Sequence, residues 1–215
     1  MEQKYTALCI KSIEYGEKDK LITLLNPSCG KILARARGVR DIKAKLKLAT
    51  QPLCLGEYVL QKLGSDKFLL TGCTVTEQYF NCWNDLSRYS AAQVILEAID
   101  HLAFDKSECA TDVLNALNAL SSINYSDYSP FLALSWFLTK SLPDLGINTD
   151  ELDLSSGFIT IKQMFDALSP DSLDWIDITV TELHNYLHYM SLIFKSSIIG
   201  KLSTLEIAMN TLLSV

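Results

Sequence analysis

Proline and glycine are sparse in this chain, five and nine in 215 residues, which excludes a fibrous or low-complexity class. No apolar run approaches the ~20 residues that a bilayer-spanning helix needs; the longest, Pro130 to Leu138, is about half of that. The first fifteen residues interleave Glu2, Lys4, Lys11 and Glu14 with apolar positions, so no export signal is expected. Cysteine occurs at 9, 29, 54, 73, 82 and 109, never as Cys-x-x-Cys. That spacing points to free, mostly buried thiols in a soluble cytoplasmic protein rather than to a metal site or a disulfide framework.

Signatures of catalysis are missing too. Gly30-Lys31 is not a phosphate-binding loop, because Leu25 stands where the first glycine belongs and Ile32 where the hydroxyl residue belongs. His184 and His188 share a helix face, but the residues between them, Asn185-Tyr186-Leu187, lack the glutamate of a metalloprotease, and a structural or surface role is expected. Asp144, Asp150, Glu151 and Asp153 do not have calcium-loop spacing. No Gly-x-Ser-x-Gly, Ser/His/Asp or paired-carboxylate arrangement stands out. An enzyme is therefore not expected, and neither a metal nor a cofactor.

What the chain does have is a concentration of positive charge. Seven of its nineteen basic residues, Lys31, Arg35, Arg37, Arg40, Lys43, Lys45 and Lys47, fall within seventeen positions that only Asp41 interrupts. The whole protein carries a net charge of -6, yet residues 1–80 hold 13 basic and 8 acidic side chains against 6 and 17 in residues 81–215. This asymmetry points to an electrostatic partner for the first part alone, with nucleic acid the usual polyanion. On a strand, residues two apart share a face, so Lys31, Leu33, Arg35 and Arg37 should point outward and Ile32, Ala34 and Ala36 inward. An ordinary solvated face, or lysines guarding against edge aggregation, is the other reading of the same residues. Tyr5 and Tyr15 are the only aromatic residues before Tyr58, so binding should lean on backbone charge, with strong salt sensitivity and little sequence preference.

Hydrophobic periodicity divides the chain near Gln78 to Asp85. Before it, period-two alternation broken by turns such as Asn26-Pro27-Ser28-Cys29-Gly30 and Gly64-Ser65-Asp66 predicts five short strands, which fit a small closed barrel. The segment 41–51 should be a short helix or an ordered loop. After the divide, apolar residues recur at helical spacing from Leu86 to Leu102 and from Val113 to Leu120. Phe131 to Leu142 should be a central helix ended by Pro143, and Ile161 to Leu168 a short one ended by Ser169-Pro170. A long helix around Leu183 to Phe194 and a last one from Thr204 complete the pattern. The expected class is α+β: an all-β barrel over 1–80 followed by an all-α helical domain over 81–215.

The run Tyr15-Gly16-Glu17-Lys18-Asp19-Lys20-Leu21-Ile22-Thr23-Leu24 resembles the opening motif of the RecO DNA repair proteins. The resemblance continues through Gly30-Lys31-Ile32-Leu33-Ala34-Arg35-Ala36-Arg37-Gly38-Val39-Arg40, then Lys43, Lys45, Leu46 and Leu48-Ala49-Thr50-Gln51-Pro52-Leu53. It covers roughly the first hundred residues, with weaker echoes at Leu145-Gly146-Ile147 and Gly200-Lys201-Leu202-Ser203-Thr204. It implies an OB barrel with a helical C-terminal domain, acting as a recombination mediator. Such a protein binds single- and double-stranded DNA and anneals complementary strands. It acts with RecR and assists RecA loading on DNA coated by single-strand-binding protein. A DNA-binding role is thereby implied for Lys31, Arg35, Arg37 and Arg40, with Lys43, Lys45 and Lys47 in the adjoining loop. Many family members carry a four-cysteine zinc module after the Leu-Gly-Tyr-like segment. Asn148 to Gly157 holds no cysteine, so none is expected here. A nucleoid-associated bacterial monomer is the resulting expectation. An RNA-binding OB module, or an adaptor for an acidic protein partner, are the alternatives.

Overall fold

The computed structural model of the chain describes residues 2–64, 67–103, 109–145, 154–197 and 200–214. The Ser65-Asp66 part of one turn and the acidic and zinc-module expectations on 146–153 lie outside the described residues. Two compact units divide the chain, one formed by Met1–Tyr79 with Ala103–Val113 and the other by Phe80–Leu102 with Leu114–Val215.

The first unit is a closed five-stranded barrel of β1 (Glu2–Tyr15), β2 (Asp19–Asn26), β3 (Gly30–Ala36), β4 (Cys54–Lys62) and β5 (Phe68–Glu77). The strands follow each other as β1-β2-β3-β5-β4 and close through antiparallel β4–β1 pairing, with β3 and β5 parallel. Alternation dictates the interior: Ala7, Cys9, Ile22, Leu24, Ile32, Ala34, Ala36, Tyr58 and Leu60 are buried together. β1, at 14 residues, is longer than the short strands expected. It pairs with β4 through its first half and with β2 through its second, and the register shifts between Cys9 and Lys11. That irregularity resets which residues face inward and lets one strand serve two neighbours. Gly56 sits where β4 and β5 approach most closely: a Cβ there would lie 2.6 Å from the Thr74 carbonyl oxygen. Burial pushes up the pKa of the core thiols Cys9, Cys54 and Cys73, Cys73 to about 12, so they remain protonated at neutral pH. Segment Ala103–Val113 belongs to this unit, and the Cys109 amide donates to the Pro27 carbonyl at 3.0 Å.

The remaining elements are helices: α1 (Asn81–Asn84), α2 (Leu86–Leu102), α3 (Ala110–Tyr125), α4 (Pro130–Lys140), α5 (Ser156–Ala167), α6 (Val180–Ser196) and α7 (Ser203–Leu212). Within the second unit, α4 is the central one, as its all-round apolar surface requires; every residue from Phe131 to Thr139 is buried. α5 starts five residues before the apolar periodicity suggests, because the Ser155 side chain caps the Phe158 amide. A full capping box of Thr179 and Glu182 opens α6. The Glu97 carboxylate holds the start of α7, accepting from the Ser203 and Thr204 amides at 2.9 and 2.8 Å and from both hydroxyls. Among the described residues no helix is long and apolar enough to cross a membrane.

Candidate nucleic-acid interface

Strand register decides what the basic stretch becomes. Leu21 lies opposite Arg35, Thr23 opposite Leu33 and Leu25 opposite Lys31. On the other side of β2, Ile13 lies opposite Leu21 and Tyr15 opposite Asp19. The outer face of β1-β2-β3 therefore carries Ile13, Tyr15, Leu33, Arg35 and Arg37 together. Ile32, Ala34 and Ala36 point inward and are buried.

The seven cations are not equivalent. Arg35 is a brace: its Nε donates to Asp19 Oδ2 at 2.7 Å, its Nη2 lies 2.5 Å from the same oxygen, and its guanidinium stands 4.9 Å from the Tyr15 ring centre. The other Asp19 oxygen accepts the Gly38 amide at 2.8 Å. Gly38 has φ +65°, a conformation that favours glycine, so the turn leaving β3 needs both residues. Hydrogen bonds from Gly38 and Arg35 hold the Asp19 carboxyl below the usual carboxylate range. Arg40 is a second brace. Its Nη1 donates to the Gly16 and Glu17 carbonyls at 3.0 and 2.9 Å, and its Nη2 lies 2.9 Å from Glu14 Oε2. Lys31 is half-buried and has a partner within the chain.

Arg37, Lys43, Lys45 and Lys47 differ. All are exposed, and none makes an ion pair or side-chain hydrogen bond among the described residues. The three lysines sit on an ordered loop. The amides of Asp41, Ala44, Lys47 and Thr50 donate in turn to the carbonyls of Gly38, Asp41, Ala44 and Lys47 at 3.1–3.3 Å. A short 3-10 turn over Leu48–Thr50 ends the series. Leu46 and Ala49 pack on the barrel core, and the buried Tyr58 hydroxyl bonds the Ala49 and Cys54 carbonyls at 2.9 and 3.0 Å. The loop's underside is thus fixed and its cations face water.

Sequence reading missed the apolar half of this face. Ile13, Tyr15 and Leu33 are each about half exposed, and Ile42 is 91% exposed. Alternation placed Leu33 outward, but the gathering of the first three depends on cross-strand register. Among the described residues no group of three or more His, Cys, Asp and Glu could hold a metal ion.

Fold and face together define an OB-type barrel with a cationic outer surface, joined to a helical unit. Residues 1–79 match the family model "Recombination protein O N terminal". The chain is 31% identical over 143 residues to the DNA repair protein RecO of Acetivibrio thermocellus, covering 66% of this chain and 57% of that protein. It is 31% identical over 137 residues to RecO of Heliobacterium modesticaldum, covering 64% and 44%, and 37% identical over 94 residues to RecO of Desulfitobacterium hafniense, covering 44% and 34%. The first unit thus carries a RecO-type N-terminal domain, and the chain is similar to RecO proteins. Its matches span from about a third to little more than half the length of these relatives.

Proposed function

We propose that this chain is a DNA-binding recombination mediator that anneals complementary strands and assists RecA loading on DNA coated by single-strand-binding protein. The observation that carries the reading is the set Arg37, Lys43, Lys45 and Lys47, exposed and making no ion pair or side-chain hydrogen bond among the described residues, on β3's exit and the loop after it. Phosphates need positive donors along a path, and the loop offers them already ordered, so little entropy is lost on binding. Half-exposed Ile13, Tyr15 and Leu33 on the outer face of the barrel suit bases that are not hidden in a duplex. The mechanism is physical rather than covalent: neutralised phosphates let two strands approach that would otherwise repel.

RecR, single-strand-binding protein and, indirectly, RecA are the proposed partners, by analogy with the family. An acidic peptide would find few cations on the helical unit. There Arg88 bonds the Ile123 and Ser126 carbonyls, Lys140 the Asp166 carbonyl, Lys162 the Asp166 carboxylate and Lys201 the Glu206 carboxylate. Among the described residues of that unit only the Lys195 side chain lacks such a partner.

The test is annealing of complementary oligonucleotides by the full chain and by Arg37→Glu with Lys45→Glu. Annealing should fall at least tenfold in the variant, while its melting temperature moves little, because both side chains are exposed and neither makes an ion pair or a side-chain hydrogen bond among the described residues. Undiminished annealing would defeat the site assignment. Preference for RNA over DNA of equal length at fixed salt would favour an RNA-binding role instead.

A further inference from the structure

We propose that Ile42 and Leu48, the two exposed aliphatic residues of the loop after β3, act as base wedges that pack against unstacked nucleobases while the lysines between them hold the phosphates. This rests on the DNA-binding reading above and adds the part of the ligand that is recognised. The loop from Gly38 to Thr50 is a chain of tight turns, its amide-to-carbonyl bonds linking 41 to 38, 44 to 41, 47 to 44 and 50 to 47. Leu46 and Ala49 are turned onto the barrel core. Ile42, Lys45 and Leu48 are exposed, with Ile42 at 91% and Leu48 at 49%.

An isoleucine held almost wholly in water on an ordered loop adds little to the packing of the fold. Its neighbours restrict what it can meet. Lys43, Lys45 and Lys47 follow it along the chain and make no ion pair or side-chain hydrogen bond among the described residues, so a ligand must be anionic and apolar within one short span. A nucleic-acid strand with its bases splayed has both characters, and aliphatic wedges between base steps are a known way to unstack them. A duplex with its stack intact offers phosphates alone. The pair therefore favours single strands and holds their bases apart, the state from which re-pairing with a complement starts.

The test is a single strand carrying 2-aminopurine, which brightens when its base is unstacked, titrated with the full chain. The unsubstituted protein should brighten it. Ile42→Ser with Leu48→Ser should remove the brightening and weaken binding roughly three- to tenfold, with the salt slope unchanged. Ile42→Leu with Leu48→Ile keeps apolar bulk and should behave as the unsubstituted protein does. Lys43→Ser with Lys45→Ser should flatten the salt slope and leave the brightening at saturation intact. Brightening that survives the serine pair overturns the wedge while the phosphate contacts stand. No salt-dependent binding by the unsubstituted chain overturns the DNA-binding reading and the wedge with it.

Discussion

Arg35 and Arg37 are two residues apart on one face and have different jobs. Arg35 is spent on Asp19 and on the Tyr15 ring, whereas Arg37 is exposed and makes no ion pair among the described residues. Reversing Arg35 to Glu would set a carboxylate against Asp19, so that variant should melt several degrees lower, whereas Arg37→Glu, which loses only a weaker attraction to Asp19, should melt much nearer the unsubstituted protein; paired thermal melts check this. The Asp19 carboxyl also gives the turn a pH dependence. Its pKa is held down by the Gly38 amide and by Arg35. The stability it contributes is present at neutral pH and is lost as pH falls through the depressed value, below the ordinary carboxylate range. Asp19→Asn should remove that acid-side loss and lower the neutral-pH melting temperature, which a melt series against pH measures. None of this pairing was legible in the sequence. Asp19 and Glu14 lie on other strands or turns, sixteen and more positions away from the arginines they hold, and only register brings them together. The cationic run was visible as a run, but which members are braces and which are free was not.

At the scale of the element, the loop after β3 is held from beneath. Tyr58 is buried in the barrel, and its hydroxyl bonds the Ala49 and Cys54 carbonyls. Tyr58→Phe leaves those buried carbonyls short of a donor, at a cost of about 1–3 kcal/mol. Amide exchange across 44–53 should quicken in that variant more than exchange in β2, and equal quickening in both would mean that the hydroxyl does not hold the loop in particular. In the helical unit, burial disfavours the Glu97 carboxylate, yet donors from Ser203 and Thr204 outweigh it and lower its pKa. Glu97→Ala removes the cap of α7 and should cost about 1–2 kcal/mol in denaturant melts, while Glu97→Gln should recover part of it. Elements of this kind were largely legible, because strand and helix periods of two and 3.6 leave their mark in the order of apolar residues. Three things escaped. α1 is too short to show a period, the start of α5 depends on a serine cap, and the parallel closure of β5 on β3 joins segments that no local pattern links.

For the whole molecule, opposite charge on the two stretches of chain sets the direction of any encounter with a polyanion. Residues 1–80 should attract phosphates and residues 81–215 repel them, with 13 basic and 8 acidic side chains against 6 and 17. Association should be fast at low ionic strength and fall steeply as salt rises, since the attraction acts over about a Debye length, ~8 Å at 0.15 M. Four unpaired cations give a number to this expectation. The most direct measurement is the affinity of the full chain for a labelled single strand across a salt series, before and after changing Arg37, Lys43, Lys45 and Lys47 to Ser. The log–log slope should be near -3 for the unsubstituted chain and move close to zero in the fourfold variant. A slope that the four substitutions leave unchanged would contradict the account, since the phosphates would then be held elsewhere.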